Sequence, residues 1–257
     1  MNHMLFLIPA LPLAGFLFLA AFGRRIGEPL AGWIATLAVG ASFLVTVGVF
    51  TQLRSKPPEH RAMTQTLFTW LPVGGLHVNV GFLADPLSIA MLLFITGIAT
   101  LIHLYAIGYM HGDPRFSKFF VYLNLFVASM LLLVLGNNLL LTFLGWEGVG
   151  ACSYLLISFW HESEANASAG KKAFVTNRIG DFGFMVAIFF TYASVGTLNY
   201  AGIAAAAPSM GRSTATAIAA LLFLGACGKS AQLPLFVWLP DAMAGPTPVS
   251  ALIHAAT

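Results

Sequence analysis

Five ionisable side chains stand where apolar neighbours predict hydrocarbon. Glu147 lies in LTFLGWEGVG, Arg178 and Asp181 in VTNRIGDFG, Lys229 in GACGKSAQLP and His254 in AGPTPVSALIHAAT. Ionisable groups at membrane depth are costly, turn towards protein or a wet cavity, and by default mark a path for an ion or a proton. Two acids and two fixed bases balance formally, which suggests one connected network. Arg178 and Asp181 are three residues apart, share a helix face and are expected to pair. Glu147 is then expected to tune Lys229. Desolvation disfavours a charged lysine and a nearby carboxylate restores it. Lysine can therefore load and unload a proton, whereas arginine stays charged.

A break accompanies the lysine. Pro234, Pro240, Pro246 and Pro248 crowd a region that otherwise reads as membrane helix. Proline lacks a backbone donor and frees carbonyls. Inside a bilayer such groups are tolerated only where protein or water satisfies them, and broken helices of this kind line ion sites. The expectation is a polar cavity beside Lys229. His254 sits one turn after Ser250, close behind the Gly-Pro-Thr-Pro sequence. The competing reading is a bundle whose buried ion pairs only fix packing. Apolar replacements often serve that purpose as well, and four charges on three spans argue against it. His103 is read as a hydrogen-bonded packing residue. Asp85, before Pro86, is read as a helix cap, and Asp241 as a charge at a loop or helix end.

These residues need helices to carry them. The chain is 58% hydrophobic and 8% charged, with mean hydropathy +0.86. Soluble domains carry about a quarter charged residues, so the composition implies a polytopic membrane protein of all-α class. Spans of about 20 apolar residues are expected near 4–22, 30–53, 84–110, 117–136, 138–160, 173–195 and 214–240. The last is interrupted at Pro234, and an eighth begins near Thr247. Only eleven residues remain from there, so the chain is expected to stop inside a span. The segment around Gly74-Gly75 predicts a short external β-hairpin near 65–82.

Loops after the first, third and fifth spans hold Arg24, Arg25, Arg115, Lys118, Lys171 and Lys172. Those after the second and sixth hold Arg54, Lys56, Arg61 and Arg212. Six against four places the first set inside and the N-terminus outside. The net charge of +3 comes from such loops and does not point to nucleic acid. Cys152 and Cys227 read as small buried residues. There is no Gly-rich phosphate loop, iron–sulfur spacing or haem histidine pair, so no cofactor is expected in this chain, and no metal.

KSAQLPLFVWLPDAMAGPTPVSALIHAAT, with LTFLGWEGVGACSYLLI and TNRIGD before it, resembles subunit L of bacterial respiratory complex I, the antiporter-like subunit of the proton-pumping NADH:quinone oxidoreductase. The DPLS and HGDPRFSKFF segments extend the resemblance over nearly the whole chain. It covers the N-terminal portion of that family. It implies three peripheral helices in residues 1–110 and a first antiporter-like repeat, incomplete at its C-terminus, in 111–257. By position, Glu147 matches the family's acidic partner, Lys229 its central lysine, Arg178 and Asp181 the pair between them, and His254 the onward histidine.

The resemblance further implies a translocase subunit of a bacterial inner membrane. Its partners are other membrane subunits, especially a neighbouring antiporter-like one. NADH, flavin, iron–sulfur clusters and quinone are held elsewhere in the complex. Large subunits of multisubunit sodium/proton antiporters, and membrane subunits of energy-converting hydrogenases, carry a similar lysine segment. The antiporters tend to read EAPTPVSAYLHSAT where this chain reads AGPTPVSALIHAAT.

Overall fold

In a computed structural model the described residues run from 4 to 255. Helices α1 (Leu7–Ile26), α2 (Leu30–Arg54), α3 (Pro86–Tyr109), α4 (Phe116–Leu135), α5 (Leu139–Ile157) and α6 (Glu164–Val195) are each long and apolar enough to cross a membrane. Their starts and stops follow local chemistry. Pro86 sits at the first position of α3, and the Asp85 carboxylate accepts the Ser88 N–H at 2.8 Å. The Ser88 hydroxyl accepts the Asp85 N–H in return, so the expected cap is a reciprocal one. Asn138 caps α5 one way, its side-chain oxygen accepting from Leu141 N–H.

Between α2 and α3 lies the predicted hairpin, β1 (Met63–Val73) paired antiparallel with β2 (Leu76–Ala84). Gly74 makes its turn with φ +56°, a backbone region that glycine enters without a Cβ clash.

Helix α4 is the hub. It packs against α1, α2, α3 and α5, and Phe119, Phe120, Leu123, Phe126 and Leu131 are fully buried in it. His103 faces this core with no exposed surface; its Nδ1 bonds the Ala99 carbonyl at 2.8 Å, as a packing histidine should. Both cysteines are buried and unpaired.

Three expectations need correction. Helix α6 begins at Glu164, so Lys171 and Lys172 ride on it and not in a loop. A short helix α7 (Tyr200–Ala206) fills the connection that had been read as plain loop. The span 214–240 is broken, as expected near 229–240, but the helix stops ahead of Pro234 and not at it. Helix α8 (Arg212–Lys229) has 18 residues and ends five positions before Pro234. The residue preceding a proline is kept out of the helical region, and Ala231 has already turned left-handed at φ +50°. Two 3-10 turns follow, Leu235–Trp238 and Pro240–Ala244, and then α9 (Thr247–Ala255). The far end of the span expected from Thr247 lies outside the described residues.

Candidate proton-handling site

Helices α5, α6 and α8 meet at the four charges. Helix α8 reaches α6 through a seam of small residues. A Cβ on Gly180 would lie 3.1 Å from Gly228 Cα and 3.0 Å from the Leu224 carbonyl oxygen, so the two backbones are nearly in contact. That approach sets Lys229, the last residue of α8, beside Asp181.

The pairing differs from the sequence expectation. Arg178 does not pair with Asp181 along α6. Its Nη1 donates to Glu147 Oε2 on α5 at 2.7 Å, and its guanidinium stacks 4.8 Å from the Phe174 ring. Asp181 turns the other way: Oδ2 lies 3.8 Å from Lys229 Nζ, and Oδ1 accepts Trp146 Nε1–H at 2.6 Å. Two ion pairs therefore bridge neighbouring helices, Glu147–Arg178 and Asp181–Lys229. All four charges lie close enough for Glu147 and Lys229 each to feel the other three.

Burial grades across the site. The Asp181 side chain is 4% exposed and Lys229 18%, whereas Arg178 is 49% exposed. Lys229 Nζ and Glu147 Oε1 are buried with no hydrogen-bond partner among the described residues. An ammonium at 3.8 Å from a carboxylate is attracted but not hydrogen-bonded, so Lys229 has donors to spare.

A cavity of about 610 Å³ opens where those donors sit. Lys229, Trp146, Asn177, Ser250 and His254 contribute to its wall. Asn177 donates Nδ2–H to the Ala173 carbonyl at 2.8 Å, while its Oδ1 is buried without a partner. The wall is otherwise mostly apolar, but an orphaned donor and an orphaned acceptor beside this much room are the conditions under which internal water binds. The expected cavity beside the lysine is therefore present, and His254 on α9 lies on its rim.

Each break proline has a place. Pro234 precedes the first 3-10 turn, Pro240 opens the second, the Pro246 carbonyl accepts Val249 N–H at 2.8 Å at the start of α9, and Pro248 lies in α9's first turn. The carbonyls freed at the end of α8 are satisfied locally. Gln232 N–H reaches the Cys227 carbonyl at 3.0 Å, and Trp238 Nε1–H reaches that of Gly228 at 3.0 Å. Asp241 is held in a pair with Lys172, 2.7 Å apart and partly exposed, which ties the broken segment to α6.

Sequence reasoning missed three contributors. Trp146 orients Asp181, and its ring centroid stands 5.8 Å from Lys229 Nζ. Trp238 caps α8. Gly150 leaves room for the lysine: a Cβ there would lie 2.5 Å from Nζ. The signal for Trp146 was its place next to Glu147. Nothing in the sequence marked Gly150.

Two family models match the chain: "NADH:quinone oxidoreductase/Mrp antiporter, TM" over residues 136–257, and "NADH-Ubiquinone oxidoreductase (complex I), chain 5 N-terminus" over 70–120. The NADH-quinone oxidoreductase subunit L of Mycobacterium tuberculosis is 51% identical over 100% of this chain and 40% of its own length. That of Escherichia coli is 46% identical over 99% of this chain and 42% of its own length.

The chain matches the N-terminal portion of the subunit L/chain 5 proteins of NADH-quinone oxidoreductases.

It spans about 40% of the length of the curated relatives it matches. Chain 5 of Allomyces macrogynus NADH-ubiquinone oxidoreductase is 42% identical over 97% of the chain. Among solved structures, an Mrp complex from a Dietzia species matches with TM-score 0.80 and 26% identity, covering 98% of this chain and 26% of that one. An archaeal membrane-bound sulfane sulfur reductase shares the fold, with TM-score 0.78 and 22% identity over 98% of this chain and 51% of that one. The family's antiporter-like helical fold and the multi-pass reading thus agree with the six apolar helices.

Proposed function

We propose that this chain forms a proton-handling unit in a membrane subunit of a proton-pumping NADH:quinone oxidoreductase. The observation that carries the reading is the cavity wall itself. It holds a lysine whose buried ammonium has unused donors, paired at 3.8 Å with a carboxylate, and a histidine lines the same cavity. Lys229 is the proton carrier, because of the four fixed charges it is the cation that can lose its proton. Asp181 stabilises its charged form. Glu147, held by Arg178, is the switch: if that pair opens, a second negative charge is free to act on Lys229. If it closes, Lys229 is left with Asp181 alone and releases its proton towards the cavity and His254. Release leaves a neutral amine beside the Asp181 carboxylate, so the cluster carries one net negative charge, which attracts the next proton, until the lysine is reprotonated.

The same reading takes α8 and the broken segment through Ala244 as a seventh crossing. It treats residues 1–110 as a peripheral three-helix unit and 111–257 as the first antiporter-like repeat. It sets the chain in a bacterial inner membrane with its N-terminus outside, among other complex I membrane subunits and next to a second antiporter-like one. Other subunits would hold NADH, flavin, clusters and quinone. The likeness to the Dietzia Mrp complex favours one alternative, an ion/proton antiporter subunit.

The test is Lys229→Met with Lys229→Arg in the assembled complex, measured as proton uptake into inverted membrane vesicles. Both variants should lose pumping and coupled quinone reduction while electron transfer to a soluble acceptor persists. If Lys229→Arg pumps normally, the lysine is an electrostatic anchor. If Lys229→Met does so, the charges serve packing only. Dependence of pumping on sodium would favour the antiporter reading.

A further inference from the structure

We propose that an anionic phospholipid occupies the groove between α2 and α3, with its phosphate held by Arg54 and Arg61. The groove encloses about 680 Å³, and its wall is almost wholly apolar: Phe43, Phe50 and Leu53 from α2 face Ile89, Leu93 and Phe94 from α3. Both arginines belong to one end of it. Arg54 closes α2, Arg61 follows it in the connection to the hairpin, and Pro86 opens α3.

The dimensions suit one leaflet. From Phe43 to Arg54 the helix rises about 16 Å at ~1.5 Å per residue, close to half of a ~30 Å hydrocarbon core. An acyl chain laid along these phenyl rings would therefore bring its phosphate to the height of the arginines.

The charge asks for an anion. No carboxylate lines the groove. Arg54 has no ion-pair partner among the described residues, and Arg61 uses only its Nε–H, on the Lys56 carbonyl at 3.1 Å, so both of its terminal nitrogens are free. Lys56 stands close by, its Nζ on the Ala62 carbonyl at 3.0 Å. Two guanidinium forks match phosphate oxygens. A zwitterionic headgroup would return a positive charge to a site that already holds two, with Lys56 close by, so the net-negative class fits. Phe94, 66% exposed, and Phe50, 37% exposed, present the open side of the groove to the acyl chain. The site is separate from the four-charge cluster and does not depend on the proton-handling reading.

The experiment uses phosphatidylglycerol carrying a photoactivatable group on its acyl chain, in nanodiscs holding the assembled complex, with labelled peptides mapped by mass spectrometry. Label should concentrate on residues 43–54 and 86–94. Unlabelled phosphatidylglycerol should compete for it; phosphatidylcholine should not. Arg54→Gln with Arg61→Gln should lower labelling about five-fold per arginine, and the double lysine variant should retain most of it. Equal competition by phosphatidylcholine, competition by excess inorganic phosphate, label spread evenly over all lipid-facing peptides, or a neighbouring subunit's helix cross-linked into the groove would each overturn the proposal. The competition arms need no variant, so a folding defect in the glutamine protein would not blunt them.

Discussion

Replacing Trp146 with phenylalanine removes one N–H from the site and little else. The indole donates to Asp181 Oδ1 at 2.6 Å; its ring meets Phe184 edge-on at 5.1 Å and stands 5.8 Å from Lys229 Nζ. A phenyl ring keeps both ring contacts in kind. A hydrogen bond to a charged group contributes about 1.5–3 kcal/mol. Asp181 is 4% exposed, so solvent does not readily replace the lost donor. Its carboxylate should then turn to the nearest cation, Lys229 Nζ at 3.8 Å. Closing that gap to about 2.8 Å strengthens the attraction by roughly 1.5 kcal/mol at an effective dielectric constant near 20. That amounts to about a ten-fold tighter hold on the lysine's proton.

Pumping by Trp146→Phe should therefore fall up to about ten-fold, read as dye-detected proton uptake in inverted vesicles. Oxidation of NADH by a soluble acceptor should be unchanged. In an Asp181→Asn background the tryptophan change should add little, because the group it orients has lost its charge. Normal pumping by Trp146→Phe, with an unaltered pH profile, would refute the chain of reasoning from donor to carboxylate to lysine.

Two further outcomes follow from close approaches. Gly150→Ala places a methyl 2.5 Å from Lys229 Nζ. Ordinary contact needs about 3.5 Å, so the ammonium must shift by about 1 Å, changing its attraction to Asp181 by about 1 kcal/mol; coupled turnover should change several-fold while the amount of assembled subunit, read by immunoblot, stays constant. Gly228→Val should instead lower that amount, because a Cβ there already lies 3.3 Å from the Asn177 carbonyl oxygen and 3.4 Å from Gly180 Cα. Overpacking of this kind costs about 1–3 kcal/mol, and normal assembly with normal thermal stability would contradict the tight α6–α8 seam.

Much of this molecule was legible in its sequence because membrane helices are specified locally. Runs of about 20 apolar residues place α1 to α5 within a few residues, since hydrocarbon leaves the backbone no partner but itself. Asp85-Pro86 and Gly74-Gly75 were readable for the same reason: a cap and a turn depend on neighbours in sequence. The end of α8 was misplaced because proline acts on the residue before it, so a helix stops ahead of its breaker. The ion pairs were harder still. Arg178 and Asp181 differ by about 60° around the helix at ~100° per residue, enough for one to reach α5's carboxylate and the other α5's indole and α8's lysine. A spacing rule describes an isolated helix, and here Glu147 and Trp146 outcompete the local pair. Gly150 was invisible because its role is to be empty space, which only the position of Lys229 reveals.

The crossed pairing bears on how such a site can be driven. Had Arg178 and Asp181 paired along α6, their separation would be fixed by one rigid helix, and no movement between helices could alter it. As found, Glu147–Arg178 joins α5 to α6, and Asp181–Lys229 joins α6 to α8. A small slide of α5 against α6 changes the first pair directly and the second through Trp146, which belongs to α5 yet holds the Asp181 carboxylate. Lys229 itself borders a segment with no regular α-helix and a cavity of about 610 Å³, so its side chain has room on that side. Two pairs that share α6, with Trp146 linking α5 to the second, let one displacement act on both attractions. The total cost stays small because neither pair has to be abandoned to bare hydrocarbon.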